Sequence, residues 1–319
     1  MPIPINDAVH HDRPLSNLSL MAFESSPGFI GQRLFPIINV GKESDRYYII
    51  EKESWLRAPN ALRARKSSAA TVKYTVSSES YYCDNYALRT DNALEDLSNA
   101  DTALQLRRDS ALFLTDMLLR DLEVRTANIV TSISNVGSGV TLSGTSQWSD
   151  YVNSDPLADV TTGHAFIRQN TGLKANVAAM SEDTFEILRR HPQLLEMYKY
   201  TSGGQLDQQQ LASALNVSEL LISSAVYNSN LRNVSNTASM STIFGNNLFL
   251  AHVRAGQTLK TQTFGLTFRW RPEGIASPMQ AVRYMDGDPS KKVEWTEVGH
   301  YIDNKVVAKD LGYLIASTH

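Results

Sequence analysis

One cysteine, Cys83, stands in a chain of 319 residues. A disulfide within the chain needs two and a thiolate metal cluster more, so both are excluded, as fits a reducing compartment. Long apolar runs are missing too. No stretch approaches the roughly eighteen residues a membrane-crossing helix needs. The opening Met1-Pro2-Ile3-Pro4-Ile5 lacks the basic patch and apolar run of a secretory signal peptide. The Asn-x-Ser sequons at Asn17, Asn216 and Asn233 are accordingly chance matches. Nor is there an excess of positive charge: 30 Lys and Arg face 33 Asp and Glu, a net charge of −3. A protein built to read nucleic acid carries a strong basic excess. The balance disfavours that class, while weak contact with packaged nucleic acid from one face stays open.

Signatures of catalysis are also absent. The chain has no GxxxxGK[ST] phosphate loop, no GxGxxG after a strand, no GxSxG elbow and no HExxH. Ser138 and Ser143 lie in a Gly-rich stretch without the flanking glycines of a nucleophile elbow, and read as a loop. His10-His11 has no third ligand for a metal and reads as part of a disordered arm. His164 falls on a helix face as a packed or interfacial residue, and His191, before Pro192, as a cap or turn. Asp286-Gly287-Asp288-Pro289 begins as a calcium loop does but lacks the later ligands, so a hairpin turn is expected. Asp150 and Asp155 could pair as acid and base of a hydrolase, yet their neighbours look like turn and helix-start residues. No catalytic residue, cofactor or metal site is expected, and the chain is read as a non-enzyme.

What is present is an order of parts. Residues 1–38 scatter five prolines (Pro2, Pro4, Pro14, Pro27, Pro36) among short apolar patches. Such a segment cannot fold alone and reads as an arm laid along something else. Tyr47-Tyr48-Ile49-Ile50 then reads as a strand between charged flanks. A return strand follows where Val72, Tyr74 and Val76 alternate with polar residues. An isolated hairpin is marginal in water, so this one must lie on a partner or on the rest of its own chain. Its tip carries Arg57, Arg63, Arg65 and Lys66 with no acidic residue among them. Three readings stay open: a solvated tip, a tip docking on acidic surface of a neighbouring subunit, and contact with nucleic acid. The lack of aromatics at the tip weighs against the last.

Between Asp101 and about Ser132, Leu104, Ala111, Leu114, Leu118 and Leu122 share one face of a 3.6-residue period, which predicts a long helix. Ser134 to Ser146 reads as a loop, and Pro156 opens a second helix. Asn176 to Met180 reads as a buried strand, with Ser181 capping the helix that follows and His191-Pro192 breaking it. Asp207 to Leu215 is a further helix, and Leu220–Ile222 and Thr242–Val253 are strands. Thr267–Trp270, Val282–Met285, Val293–Glu297 and Asn304–Lys309 complete a strand-rich C-terminal part. Strands, helices and strands again argue for an α+β fold with discontinuous domains.

This order resembles the major capsid protein of tailed bacteriophages, with the fold named after phage Hong Kong 97. Leu34-Phe35-Pro36 followed by Asp45-Arg46-Tyr47-Tyr48 looks like the approach to that family's extended loop. Leu112-Phe113-Leu114-Thr115-Asp116 looks like its spine helix. Trp148-Ser149-Asp150-Tyr151, Ser154-Asp155-Pro156, His191-Pro192 and Ala225-Val226-Tyr227-Asn228 look like the path through its axial domain. The ending Ala308-Lys309-Asp310-Leu311-Gly312-Tyr313-Leu314-Ile315 is similar to the close of many such subunits.

The resemblance implies an N-terminal arm at 1–38 and an extended loop at 39–92. It implies a peripheral domain at 93–174 and 262–319, carrying the spine helix, and an axial domain at 175–261. It implies self-assembly into pentamers and hexamers of an icosahedral head enclosing double-stranded DNA, held non-specifically on the inner face. The loop would lie across an adjacent subunit, with Tyr47, Tyr48, Tyr74 and the basic tip as contacts. A portal and, because the arm starts almost at once, a separate scaffolding protein are the further partners implied, with no membrane. The chain would reside in the virion after assembly in the bacterial host cytoplasm. Covalent crosslinking through Lys66 and Asn60 is not expected. The alternative is a shell subunit of a related protein nanocompartment, which packages an enzyme in place of a genome.

Overall fold

The computed structural model describes residues 10–11, 15–16, 18–19, 21, 28–50, 52, 56–59, 61–63, 65–73, 75–99, 103–198, 206–229, 239–254, 262–273, 277–288 and 291–319. In chain order, the first half holds β1 (His10–His11), α1 (Gly31–Leu34), β2 (Ile37–Val40), β3 (Ser44–Ile50), β4 (Val76–Tyr82) and β5 (Asp84–Ala93). Then come α2 (Leu94–Asn99), α3 (Ala103–Val130), β6 (Ser138–Thr141) and α4 (Pro156–Thr171). The second half holds β7 (Val177–Ser181), α5 (Glu182–Arg190), α6 (Pro192–Met197), α7 (Gln208–Ala214), β8 (Glu219–Ser223), β9 (Val226–Asn228), β10 (Met240–Thr242) and β11 (Asn247–Ala251). It closes with β12 (Gly265–Trp270), β13 (Met279–Met285), β14 (Val293–Val306) and β15 (Gly312–Ala316).

The expected long helix is α3, 28 residues and about 42 Å at ~1.5 Å per residue. Ala111, Leu114, Leu118, Leu119 and Leu122 are buried along it. They pack on Met279, Ala281, Val298 and Ile302 of a six-stranded sheet. The axis of that sheet is β14. It pairs with β13 and then β12 along one side, and with the ten residues of β5 along the other. Its even-numbered residues Glu294, Thr296, Val298, His300 and Ile302 are buried, the period of two expected of a strand with one covered face. Glu294 holds the start of α3, accepting from Arg107 Nε and Nη2 at 2.8 Å each.

Two corrections arise here. The sequence suggests separate strands at 293–297 and 304–309, whereas β14 runs unbroken through Gly299. That glycine marks a close approach: a Cβ there would stand 2.8 Å from the Cβ of Ala87 on β5. His10-His11, expected in a disordered arm, pairs with Arg283 and Val282 at the outer edge of β13.

The second sheet has the order β6-β15-β11-β7-β8. Its strands β7 and β11 are almost wholly buried, and α4 packs on β11 and β15. The stretch 134–146, read as a loop, contributes β6, which runs parallel to β15. This sheet draws strands from both sides of the boundaries expected at 174/175 and 261/262. Helix starts follow the sequence reading. Ser181 Oγ accepts from Thr184 N at 3.3 Å, and Pro156 sits just inside α4 behind Asp155, whose carboxylate accepts from Ala158 N at 3.0 Å. Among the described residues no helix is long and apolar enough to cross a membrane.

Candidate assembly surfaces

The hairpin is where sequence and structure meet most directly. Strands β3 and β4 pair antiparallel over seven residues, from Ser44↔Tyr82 to Ile50↔Val76. The return strand thus begins at Val76. Thr71, Val72, Lys73 and Thr75, which alternate as a strand would, lie outside it, and Val72 is exposed; Tyr74 lies outside the described residues. β4 and β5 are separated only by Cys83, so the hairpin is an outgrowth of the large sheet.

Its root is dry. Phe268 of β12 stacks on Tyr81 with centroids 4.5 Å apart and planes at 15°, and Tyr47 leans on the same ring at 5.3 Å. Tyr47 is buried within its own subunit, and its hydroxyl donates to Glu79 Oε2 at 2.8 Å. Burial, then the bond and charge of Glu79, push its pKa up. Cys83 completes the cluster: fully buried, with its Sγ 3.6 Å from the Phe268 carbonyl and its thiol pushed up to about 12, mainly by burial. Such a thiol is a packing group, not a nucleophile.

Farther out the hairpin lies on its own chain. Lys52 Nζ donates to Asp310 Oδ2 at 2.5 Å and to Asn170 Oδ1 at 3.5 Å. This contact borders a cleft of about 360 Å³, lined also by Tyr48, Ile49, Leu56, Leu173, Val306 and Leu311. Tyr48 is 45% and Leu56 59% exposed. The basic tip stands clear: Arg57, Arg63, Arg65 and Lys66 are all exposed, Arg63 Nε donates to the Ser67 carbonyl at 2.6 Å, and Lys66 takes a left-handed backbone with φ 64°.

A second joint was not foreseen from the sequence. Glu123, on α3, is 1% exposed. Its carboxylate accepts the backbone N–H of Ile30 (3.1 Å to both oxygens), the N–H of Gly31 at 2.7 Å and the hydroxyl of Ser223 at 3.3 Å. It thereby binds the root of the N-terminal arm to the helix and to the end of β8. Burial raises its pKa, against the lowering effect of those three donors. Gly31 makes room for this joint, since a Cβ there would stand 2.8 Å from Glu123 Oε2 and the carboxylate would have to shift. A glutamate inside a helical apolar face, three residues before Thr126, is the signal the sequence offered.

The remaining polar candidates are absorbed by the fold. Asp150 accepts from Val152 N, Asn153 N and the Asn153 amide, which hold its carboxyl below the usual range; Asp155 caps α4 and accepts from Gln193. The two therefore serve separate turns. His164 Nε2 lies 2.8 Å from the Leu215 carbonyl, and His191 Nε2 3.0 Å from Ser154 Oγ. Asp286, at the expected turn between β13 and β14, accepts from Asp288 N and Trp295 Nε1. Among the described residues no group of three or more His, Cys, Asp or Glu could hold a metal ion.

No protein-family profile matches the chain. It is 29% identical over 294 residues to the major capsid protein of Pseudomonas phage JBD67, covering 89% of this chain and 90% of that one. It is 25% identical over 314 residues to the major capsid protein of Burkholderia phage BcepMu, covering 96% and 95%. Among solved structures it is similar to a phage-related protein of Bordetella bronchiseptica RB50, with TM-score 0.76, 22% identity and 98% of each chain covered. It is similar to the capsid of Cyanophage P-SCSP1u (TM-score 0.57, 9% identity, 89% and 86% covered). It also resembles the holo-encapsulin complex of Synechococcus elongatus PCC 7942 (TM-score 0.50, 11% identity, 89% and 85% covered). The α+β fold of this chain is that of phage capsid subunits.

Proposed function

We infer that this chain is a phage major capsid protein, a subunit that builds the shell of the virion by associating with copies of itself. The observation that carries this is the likeness to two phage major capsid proteins over 89% and 96% of the chain, on a fold shared with solved capsids. The architecture suits the task. A helix of 28 residues bound to a six-stranded sheet makes a stiff plate, and the hairpin projects from that plate with a charged tip.

In this reading, residues 1–38 are the arm, 39–92 the extended loop, 93–174 with 262–319 the peripheral domain, and 175–261 the axial domain. Head-to-tail contacts that close into rings would give pentamers and hexamers. The hairpin lies across a neighbouring subunit, with Tyr48 and the tip residues Arg57, Arg63, Arg65 and Lys66 against it. The shell encloses double-stranded DNA, held without sequence preference; the net charge of −3 carries no basic excess of the kind a sequence reader needs. A portal and a separate scaffolding protein are the expected partners, and assembly takes place in the host cytoplasm. The role is structural, and no residue is assigned to catalysis.

The encapsulin likeness supports a nanocompartment as the second reading, but both curated relatives come from phages. Sedimentation velocity tests the main reading. Purified chain, with its scaffolding partner supplied, sediments as closed particles of many subunits; a single species of one chain's mass under all conditions would oppose it.

A further inference from the structure

Among the described residues, the hairpin is held at two places of very different strength. Its root is a buried cluster of Tyr47, Tyr81, Cys83 and Phe268, reinforced by Cys83 N donating to the Glu43 carbonyl at 2.9 Å and Tyr82 N to Asp303 Oδ2 at 3.0 Å. Its outer part touches the body of the same subunit through Lys52 on Asp310, a pair whose side chains are 49% and 34% exposed. Ion pairs this open to water contribute little, because solvent screens them and two side chains must be ordered. The pair borders a half-open cleft of about 360 Å³ whose lining includes Tyr48, Ile49, Leu56, Leu173, Val306 and Leu311. Protein interiors are close-packed. Two surfaces shaped for permanent contact would not leave so much space between apolar side chains.

We propose that Lys52–Asp310 is a clasp that parks the hairpin on its own subunit before assembly, and that it opens when a second copy of this chain takes the hairpin instead. The proposal rests on the reading of the chain as a shell subunit whose hairpin reaches a neighbour. A buried root and a solvent-exposed outer contact make the hairpin a hinged strap: the root keeps its direction while the clasp sets how often it is free. The clasp competes with assembly, so weakening it lowers the concentration at which shells form, and making it permanent blocks them. It also slows subunits from joining through hairpins alone, since each capture first costs an ion pair.

The experiment uses full-length Lys52→Cys/Asp310→Cys, either bridged with a short bismaleimide or capped at both thiols with N-ethylmaleimide. The buried Cys83 is spared by both reagents. Shell formation is followed by light scattering and sedimentation beside the wild type. The capped protein is expected to assemble at a threshold about two- to five-fold below wild type, the range of an exposed ion pair, and the bridged protein not at all. Bridged protein assembling as readily as capped protein overturns the clasp. If the capped protein assembles poorly, Asp310→Asn decides: a lowered threshold supports the clasp and an unchanged or raised one overturns it. Failure of the wild type itself to form any particle strikes the shell reading, not the clasp.

Discussion

The backbone N–H of Gly31 donates to the Glu123 carboxylate at 2.7 Å, inside a site where that carboxylate is 1% exposed. Through this bond the arm root is fixed to the longest helix. Glu123→Ala strands the N–H groups of Ile30 and Gly31 in the interior, at about 1–3 kcal/mol for each buried donor left unpaired. Gly31→Ala forces the carboxylate away with a Cβ and loosens the same joint. Both variants are expected to lower the chemical-denaturation midpoint and to speed amide exchange at residues 30–35. Exchange unchanged there would show that the arm root is held by its apolar contacts alone.

Phe268 roots the hairpin by stacking on Tyr81 and supporting Tyr47. Phe268→Ala is expected to lose about 3–5 kcal/mol, as buried aromatic truncations do. It should also open Cys83, whose thiol in the wild type is buried and pushed up to about 12. Maleimide labelling of the native protein reads this directly: negligible in the wild type, measurable in the variant. Rapid labelling of the wild type would mean that the root opens on its own.

His300 is buried between α3 and the large sheet, and burial, with Arg125 and Arg269 nearby, lowers its pKa to about 3. The unfolded chain takes up a proton near pH 6.5 that the folded one refuses. Stability from the neutral imidazole is complete above that value and falls as the pH drops towards 3, at up to about 1.4 kcal/mol per pH unit. Glu123, its pKa raised mainly by burial, acts in the opposite sense. The test is therefore a difference: His300→Gln should show a shallower loss of stability between pH 6.5 and 4 than the wild type. Parallel curves would assign the acid sensitivity to other groups.

The tip residues Arg57 and Arg65 are exposed and remote from the packed clusters. Arg57→Glu with Arg65→Glu should leave the unfolding midpoint within about 0.5 kcal/mol of wild type, as surface changes do, yet weaken or block assembly if the tip meets acidic surface. Particles of normal yield from that double variant would remove the tip from the interface.

Much of this fold was legible because its signals are local. A 3.6-residue apolar period marked α3, and Pro156 and the cap at Ser181 marked the starts of α4 and α5. The misses share a physical cause, contacts between residues far apart in the chain. β6 is a four-residue Ser-Gly-Val-Thr segment that becomes a strand only because β15 supplies its partner. The gap read between the strands at 293–297 and 304–309 contains Gly299, and nothing nearby reveals that Ala87 must approach it. The alternation at 71–76 has the period of a strand, but pairing is set by Ile50↔Val76, so the strand begins where the alternation ends. Of the tyrosines read as neighbour contacts, Tyr47 is buried within its own subunit and Tyr48 borders the cleft. A period of two says which residues share a face, not which body covers it.

The central claim is that copies of this chain close into a shell. Electron microscopy of the purified protein, expressed alone and with the proposed scaffolding protein, tests it. Hollow, closed, icosahedral particles are expected, in which each subunit's hairpin crosses onto an adjacent subunit. Monodisperse monomers or small open oligomers in both preparations would contradict it.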